Sequence, residues 1–350
     1  MLADRLATIL LCSPLGLPRG QGPDLSVLGQ SGWSRLAARL EAAQLTPGVL
    51  LGMSGDSIGA ALDLEPHVAG RFAGLLQRVA PVTIELERLI DRGIWVLTSF
   101  DSGYPEDLRS RLADESPPIL FGSGEPQLLS NGGLAIVGSR DVDEDGGRFA
   151  AAVASAAGRG GTQVVSGAAR GVDVIAMRAA FEAGGTVVGV PGDALDVRIR
   201  EPETRAALSD GSFALTTPYL PSKGFTVGTA MGRNKVIYGL AHFALVVSAA
   251  EGEGGTWAGA VEALDRRTTP VFVRDDATAP GGNRRLIERG AVPFHFSSSQ
   301  LHIADFEAAL TASPVRADES SAAEEQQTLF GEEKSSSKRG SRPRKQRATE

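Results

Sequence analysis

Two stretches decide the fold: Leu134-Ala135-Ile136-Val137-Gly138-Ser139-Arg140, and further on Gln163-Val164-Val165-Ser166-Gly167-Ala168-Ala169-Arg170-Gly171-Val172-Asp173. Each is an unbroken apolar run, as in a strand buried on both faces, and each stops at glycine, hydroxyl and arginine. Where a parallel strand turns into a helix, backbone N–H groups are left free, small residues let a phosphate approach them, and arginine adds charge. The pair therefore reads as phosphate chemistry, and so as a site for nucleotides or nucleic acid.

Outward from these loops the pattern repeats. Apolar runs at 134–137, 163–165, 186–190, 213–216, 243–247 and 270–273 alternate with helical patterns at about 148–158, 171–183, 201–208, 233–240 and 256–265. Such alternation implies an α/β fold, a mostly parallel sheet covered by helices on both faces, with ligands at the carboxyl ends of the strands near the switch in strand order. A helix, a short strand at 292–296 and a closing helix are expected over 283–310. Ahead of the sheet, residues 93–98 look like a strand, Pro105 opens a helix to Leu112, and 117–121 is extended. Residues 2–92 read as short helices separated by Gly, Pro and Ser, with Thr46-Pro47 as an N-cap and first helical position. Beyond Ser313 the composition collapses to Ser, Glu, Lys and Arg, which cannot support a core. The expected organisation is a helical N-terminal domain at 1–90, similar to a SAM or helix-hairpin-helix module, a sheet domain with its lead-in at 91–312, and a disordered tail at 313–350.

Composition narrows the function. The single cysteine, Cys12, excludes an intrachain disulfide and a cysteine metal cluster, which fits a reducing cytoplasm. Four histidines, His67, His242, His295 and His302, show no metal-binding spacing, so no metal is expected. Asp4 sits where a signal peptide needs bases, Leu11 precedes Cys12 where a lipid-attachment box needs a small residue, and no apolar run is long enough to span a membrane. The net charge of -7 argues against coating duplex DNA by sheer basicity, though a local basic pocket is compatible with it.

Four loops carry the candidate chemistry. Gly138-Ser139-Arg140 is not a GxGxxG fingerprint, because Asp141-Val142-Asp143-Glu144-Asp145 follows and would repel a pyrophosphate; the plain alternative is a tight turn with Ser139 capping locally and Arg140 paired to those acids. In Ser166-Gly167-Ala168-Ala169-Arg170-Gly171-Val172-Asp173, Arg170 is placed to grip a phosphate while Asp173 orients it or contacts sugar. The alternative there is Asp173 as a helix cap with Arg170 as its partner. Met231-Gly232-Arg233-Asn234-Lys235 reads as a helix start, where two cations fit poorly with the dipole unless an anion sits there. Gly254-Gly255-Thr256 opens another helix, with Thr256 capping it or touching a phosphate oxygen. No serine has an expected histidine base, and neither a GxSxG elbow nor a GxxxxGK[ST] loop is expected, so no catalytic residue and no cofactor is assigned. Glu201 and Glu203 read as capping charges at an exposed helix start.

Together these loops resemble the DprA/Smf DNA-processing family, over roughly residues 93–294. The resemblance rests on Ala135 to Arg140, Val165 to Asp173, Gly232-Arg233-Asn234-Lys235-Val236-Ile237, Gly254-Gly255-Thr256, and Gly282-Asn283 with Leu286-Ile287 and Gly290-Ala291. Tyr104-Pro105 and Pro118-Ile119-Leu120-Phe121 are similar to the family's lead-in. The resemblance implies a Rossmann-like domain that binds single-stranded DNA in a positively charged pocket, acts as a homodimer and helps load a RecA-type recombinase in recombination and transformation. By position, Arg140, Ser166, Arg170, Arg233, Asn234 and Lys235 form the implied phosphate-binding set, and Phe225, Tyr238 and Trp257 are the aromatics near it.

The chain departs from the family at Met177, where histidine is usual, at Gly192 to Ile199, and at Glu253-Gly254-Gly255, where a serine-rich loop is usual. It reads as a divergent member without the winged-helix domain of some relatives. Two other readings follow from resemblance. Divergent relatives occur as antitoxins or sensors in antiphage defence and toxin-antitoxin modules. LOG-type phosphoribohydrolases share the arginine-bearing helix and a GGxGTxxE motif, but three positions after Thr256 this chain has Gly259, and Glu262 lies a turn further on. In the tail, Gln326-Gln327-Thr328-Leu329-Phe330 is similar to the peptide that docks bacterial proteins on the sliding clamp, through Gln326, Leu329 and Phe330. Residues 331–350 carry seven Lys or Arg against three Glu, a basic end suited to weak contact with nucleic acid or to plain solvation.

Overall fold

The computed structural model describes residues 2–17 and 25–312; the clamp-like peptide around Gln326, Leu329 and Phe330 lies outside them. Among the described residues five α-helices come first: α1 (Leu2–Cys12), α2 (Gln30–Ala42), α3 (Gly55–Leu62), α4 (Pro66–Leu76) and α5 (Val79–Asp91). Arg78 joins them from within: buried, it donates to the carbonyls of Leu15, Leu10, Leu75 and Ser13. Pro47 opens only a short 3-10 turn, Pro47–Leu50, and the extended Thr46 makes no side-chain cap; the Gly48 N–H is taken instead by Asp4 Oδ1 at 3.0 Å. The chain also contains a GxSxG spacing, Gly55-Asp56-Ser57-Ile58-Gly59. It lies inside α3 rather than at a strand-to-helix turn, and Ser57 Oγ bonds Ser54 Oγ at 2.9 Å, so it does not present a nucleophile as an elbow does.

The sheet follows: β1 (Trp95–Thr98), α6 (Glu106–Leu112), β2 (Ile119–Gly124), β3 (Leu134–Gly138), α7 (Glu144–Arg159), β4 (Val164–Ser166), α8 (Val172–Glu182), β5 (Val187–Gly189), α9 (Leu195–Arg198), α10 (Pro202–Leu208), β6 (Phe213–Thr217), α11 (Val227–Leu240), β7 (Phe243–Ser248), α12 (Gly254–Arg266), β8 (Val271–Arg274), α13 (Gly281–Glu288), β9 (Val292–Phe294) and α14 (Ile303–Ala312). Among the described residues the strand order is β1-β2-β6-β5-β4-β3-β7-β8-β9. Strands from β6 to β9 in that order run parallel, while β2 pairs antiparallel to β6 and β1 antiparallel to β2. The lead-in thus extends the sheet at its β6 edge. Residues to Phe306 form one compact unit; Glu307 begins a second, described only to Ala312.

The parallel strands read as continuous apolar runs because both faces are covered. Ala135, Ile136, Val165, Val188 and Leu245 are fully buried, and burial of such a Val, Ile or Leu side chain contributes about 1.5–3 kcal/mol. From β3 the chain steps outward through β4, β5 and β6, then crosses to the other side of β3 for β7. The switch in strand order therefore falls between β3 and β7, at the carboxyl ends of both.

Two helix boundaries differ from the sequence pattern. α7 begins at Glu144, because Asp143 accepts the Gly146 N–H at 2.7 Å and Glu144 and Asp145 fill its first turn; part of the acidic run is helix-capping chemistry. α11 begins at Val227, because Thr226 and Thr229 form a reciprocal capping box and the Thr229 hydroxyl is 2.8 Å from the Gly192 carbonyl. Arg233, Asn234 and Lys235 are its seventh to ninth residues. The expectation of cations at a helix N-terminus is thereby overturned.

Candidate functional site

The two loops that follow β3 and β4 are stitched together by close approaches. A Cβ on Gly138 would stand 2.5 Å from Val172 Cγ2. Gly171 has φ +86°, and a side chain there would overlap the Ser139 carbonyl and stand 2.6 Å from that of Arg140. The Val172 N–H donates to the Ser139 carbonyl at 3.2 Å, while Ser139 Oγ accepts the Asp141 N–H at 3.1 Å. Ala168 is held at φ +51°, a left-handed conformation that costs a non-glycine residue roughly 1 kcal/mol. Such strain persists only where the surroundings over-determine it. From the other side of the switch, Thr256 Oγ1 donates to the Gly138 carbonyl at 2.9 Å, and Asn234 Nδ2 to the Gly255 carbonyl at 3.0 Å.

These contacts frame a crevice of about 450 Å³ over the ends of β3 and β7, walled by Gly138, Arg140, Met231, Asn234 and Thr256. It adjoins a hollow of about 340 Å³ over the ends of β4 and β5, with Arg140, Ala169, Phe225 and Arg233 common to both. The start of α12 faces the crevice. Its N-cap, Glu253, offers no side-chain acceptor, so the first N–H groups of the helix are left for another partner.

Arg233 and Asp173 form the floor. Both are buried, at 6% and 4% exposure, and their Nη2 and Oδ2 atoms lie 3.4 Å apart. Burial pushes the Asp173 carboxyl above its ordinary value, and the adjacent Arg233 pulls it part of the way back. Arg233 packs its guanidinium on Gly167, where any side chain would overlap it. Its Nε and the Tyr238 hydroxyl are buried without a hydrogen-bond partner. Buried polar atoms of this kind are rare in folded proteins.

The expected site residues separate once their partners are visible. Gly138, Ser139, Arg140, Asp173, Arg233, Asn234, Gly255 and Thr256 are brought together at the larger crevice, and Gly167 and Arg170 at the adjoining hollow. Gly171 holds the loop. Ser166 is fully buried and donates to the Ile136 carbonyl at 2.6 Å, and its side chain also bonds the Asp173 carboxyl, so it ties β4 to β3 and supports the floor from beneath. Lys235 points to the opposite flank of α11, 2.5 Å from Glu115 and 3.2 Å from Glu262. Neither lines the crevice or the hollow. Asn283 is also a staple, donating to the Val247 and Arg274 carbonyls and accepting the Ala249 N–H, each at 3.0 Å.

The alternative that paired Arg140 with the acidic run gives way to a different pairing. Arg170 takes Asp141, Nη2 to Oδ1 2.6 Å, while Arg140 lies over the Phe225 ring, 4.8 Å from its centroid. Phe225 is half exposed, whereas Tyr238 is buried and Trp257 packs on the core. Sequence reasoning passed over Arg198, which follows β5 as the other arginines follow β3 and β4; it chelates Asp193 at 3.1 and 2.8 Å and reaches Glu201 at 3.3 Å. The crevice and hollow together are lined by four arginines, 140, 170, 198 and 233, and four carboxylates, Asp141, Asp173, Asp193 and Glu253. The expected basic pocket is in fact charge-balanced, and Arg140 is the arginine among them with no carboxylate partner among the described residues. A wider hollow of about 880 Å³ beside Trp33 and His242 is lined by Asp101, Glu106 and Asp107 against a single arginine, Arg109, an excess of acids that disfavours phosphate.

A doubly wound α/β sheet with small-residue loops and helix starts gathered at its switch point places the protein in the Rossmann-like class, whose ligands sit in that crevice. Within that class, the chain belongs to the DNA recombination-mediator protein A family, whose sequence profile matches residues 95–304. It is 30% identical over 196 residues to Protein Smf of Escherichia coli K12, covering 54% of this chain and 51% of Smf, so the match spans about half of that relative. It is 30% identical over 213 residues to DNA processing protein DprA of Streptococcus pneumoniae R6, covering 59% of this chain and 72% of the relative. The X-ray structure of the Streptococcus pneumoniae DprA shares its fold, with a TM-score of 0.61 and 22% identity over 78% of this chain and 96% of that one. No helix among the described residues is long and apolar enough to cross a membrane.

Proposed function

We propose that the crevice grips the backbone of single-stranded DNA and that the protein acts in DNA processing by binding rather than by catalysis. One observation carries the reading. Arg140, with no carboxylate partner among the described residues, rests on the half-exposed Phe225, beside the start of α12, which has no side-chain cap, and above a floor with unsatisfied donors. A guanidinium for a phosphate beside an aromatic face for a base is the combination by which single strands are held. In this reading the bound strand passes to a RecA-type recombinase, and two copies of the chain act together.

What favours binding over hydrolysis is the placement of Glu262. Its carboxylate is engaged by Lys235 at 3.2 Å and Arg266 at 3.3 Å, while a side chain at Gly259 would touch Asn234 and Tyr238. The test is fluorescence anisotropy with oligo-dT over a salt series. Wild type should bind, Arg140→Ala and Phe225→Ala should weaken binding, and the loss of one phosphate contact should reduce the log-log salt slope by about 0.7. Wild type that ignores single strands at low salt overturns the reading, and steady release of free base from nucleoside monophosphates overturns its non-catalytic part.

A further inference from the structure

We propose that Asp141 is an internal competitor for the phosphate, an autoinhibitory carboxylate that occupies Arg170 until a strand displaces it. The inference rests on the reading of the crevice as a strand-binding site. It starts from the charge balance there: three of the four arginines already hold a carboxylate, but they hold it differently. Arg233 and Asp173 are buried together and belong to the fold. Arg198 is fixed by two contacts to Asp193 and one to Glu201. Arg170 and Asp141 share one contact of 2.6 Å, and their side chains are 75% and 81% exposed.

Asp141 does not reach Arg170 by chance of a floppy side chain. Its N–H is held by Ser139 Oγ, and Ser139 is tied through its carbonyl to Val172 at the start of α8. The same stretch that carries Arg140 to the crevice therefore delivers a carboxylate to the next arginine along. Two anions cannot share one guanidinium fork at full strength, so a phosphate reaching Arg170 must displace Asp141 and then lie near its charge. Exposed ion pairs are weak, so the displacement costs about two- to fivefold in affinity. That makes Asp141 a brake which a strand overcomes, not a block.

The experiment measures oligo-dT binding by anisotropy for wild type, Asp141→Asn, Glu144→Gln, Arg170→Ala and the Asp141→Asn/Arg170→Ala double variant. Glu144 is an exposed acid of the same run, paired with Arg148 away from the crevice, so its variant reports the effect of charge alone. Asp141→Asn should bind about two- to fivefold tighter, Glu144→Gln should match wild type, and the double variant should match Arg170→Ala. An unchanged or weaker Asp141→Asn beside a wild type that binds overturns the inference and leaves the strand-binding reading standing. So does an equal gain in Glu144→Gln, or a gain from Asp141→Asn that persists without Arg170. Absence of binding by every variant overturns both.

Discussion

Replacing Arg233 with methionine leaves Asp173 as a buried carboxylate without its counter-charge. At 4% exposure, Asp173 is largely shielded from water, and breaking one side of such a pair costs about 3–5 kcal/mol at neutral pH. In a unit of this size that lowers the melting temperature by roughly 5–10 °C. The effect has a definite pH sign. The Asp173 carboxyl is already raised by burial and held down only in part by Arg233, so removing Arg233 raises it further. A raised acid contributes stability that is complete below its unfolded value and is lost as pH rises through its folded value. The deficit of Arg233→Met relative to wild type should therefore be small near pH 4 and widen towards pH 8. It grows by about 1.4 kcal/mol for each unit by which the two folded values differ. Thermal melts followed by circular dichroism at several pH values measure it, with Asp173→Asn and the double variant closing the cycle; the double variant should recover much of the loss. A deficit below about 1 kcal/mol, well under the range for a broken buried pair, refutes the reasoning. A deficit independent of pH, or a double variant no better than Arg233→Met, refutes it as well.

Three further outcomes follow from the same geometry. Gly171→Ala combines a positive φ with a clash against two carbonyls, so a urea titration should show a loss of more than about 1–2 kcal/mol. Lys235→Met should leave oligo-dT affinity unchanged in the anisotropy assay while lowering stability by about 1 kcal/mol, because the lysine serves Glu115 and Glu262 rather than the crevice. Thr256→Val removes the donor to the Gly138 carbonyl and should cost about 1 kcal/mol in a thermal melt.

Much of the sheet was legible because its strands announce themselves locally. Residues 134–137, 213–215 and 243–247 are apolar throughout and lie within β3, β6 and β7. The loops at Gly138 and Gly171 were legible for a related reason: a strand end that abuts a helix start must use residues without bulk. Side-chain direction was not. The start of α11 depends on a bond from Thr229 to Gly192, 37 residues away, and that start sets the phase by which Arg233 faces the crevice while Lys235 turns from it. Arg198 was missed because only the fold aligns it with the arginines after β3 and β4.

The sequence alone determined the kinds of element, their order and the small-residue turns at the strand ends, since periodicity and backbone sterics act over a few residues. It also contained the motifs that place the chain in its family. The tertiary structure decided strand order, the attachment of β1 and β2 to β6, and the electrical character of the site. Lys235 meets Glu115 across 120 residues of chain and Arg170 meets Asp141 across 29. Ion pairs of that span depend on which segments the sheet brings side by side, so a group of arginines that reads as basic along the chain becomes a balanced crevice once folded.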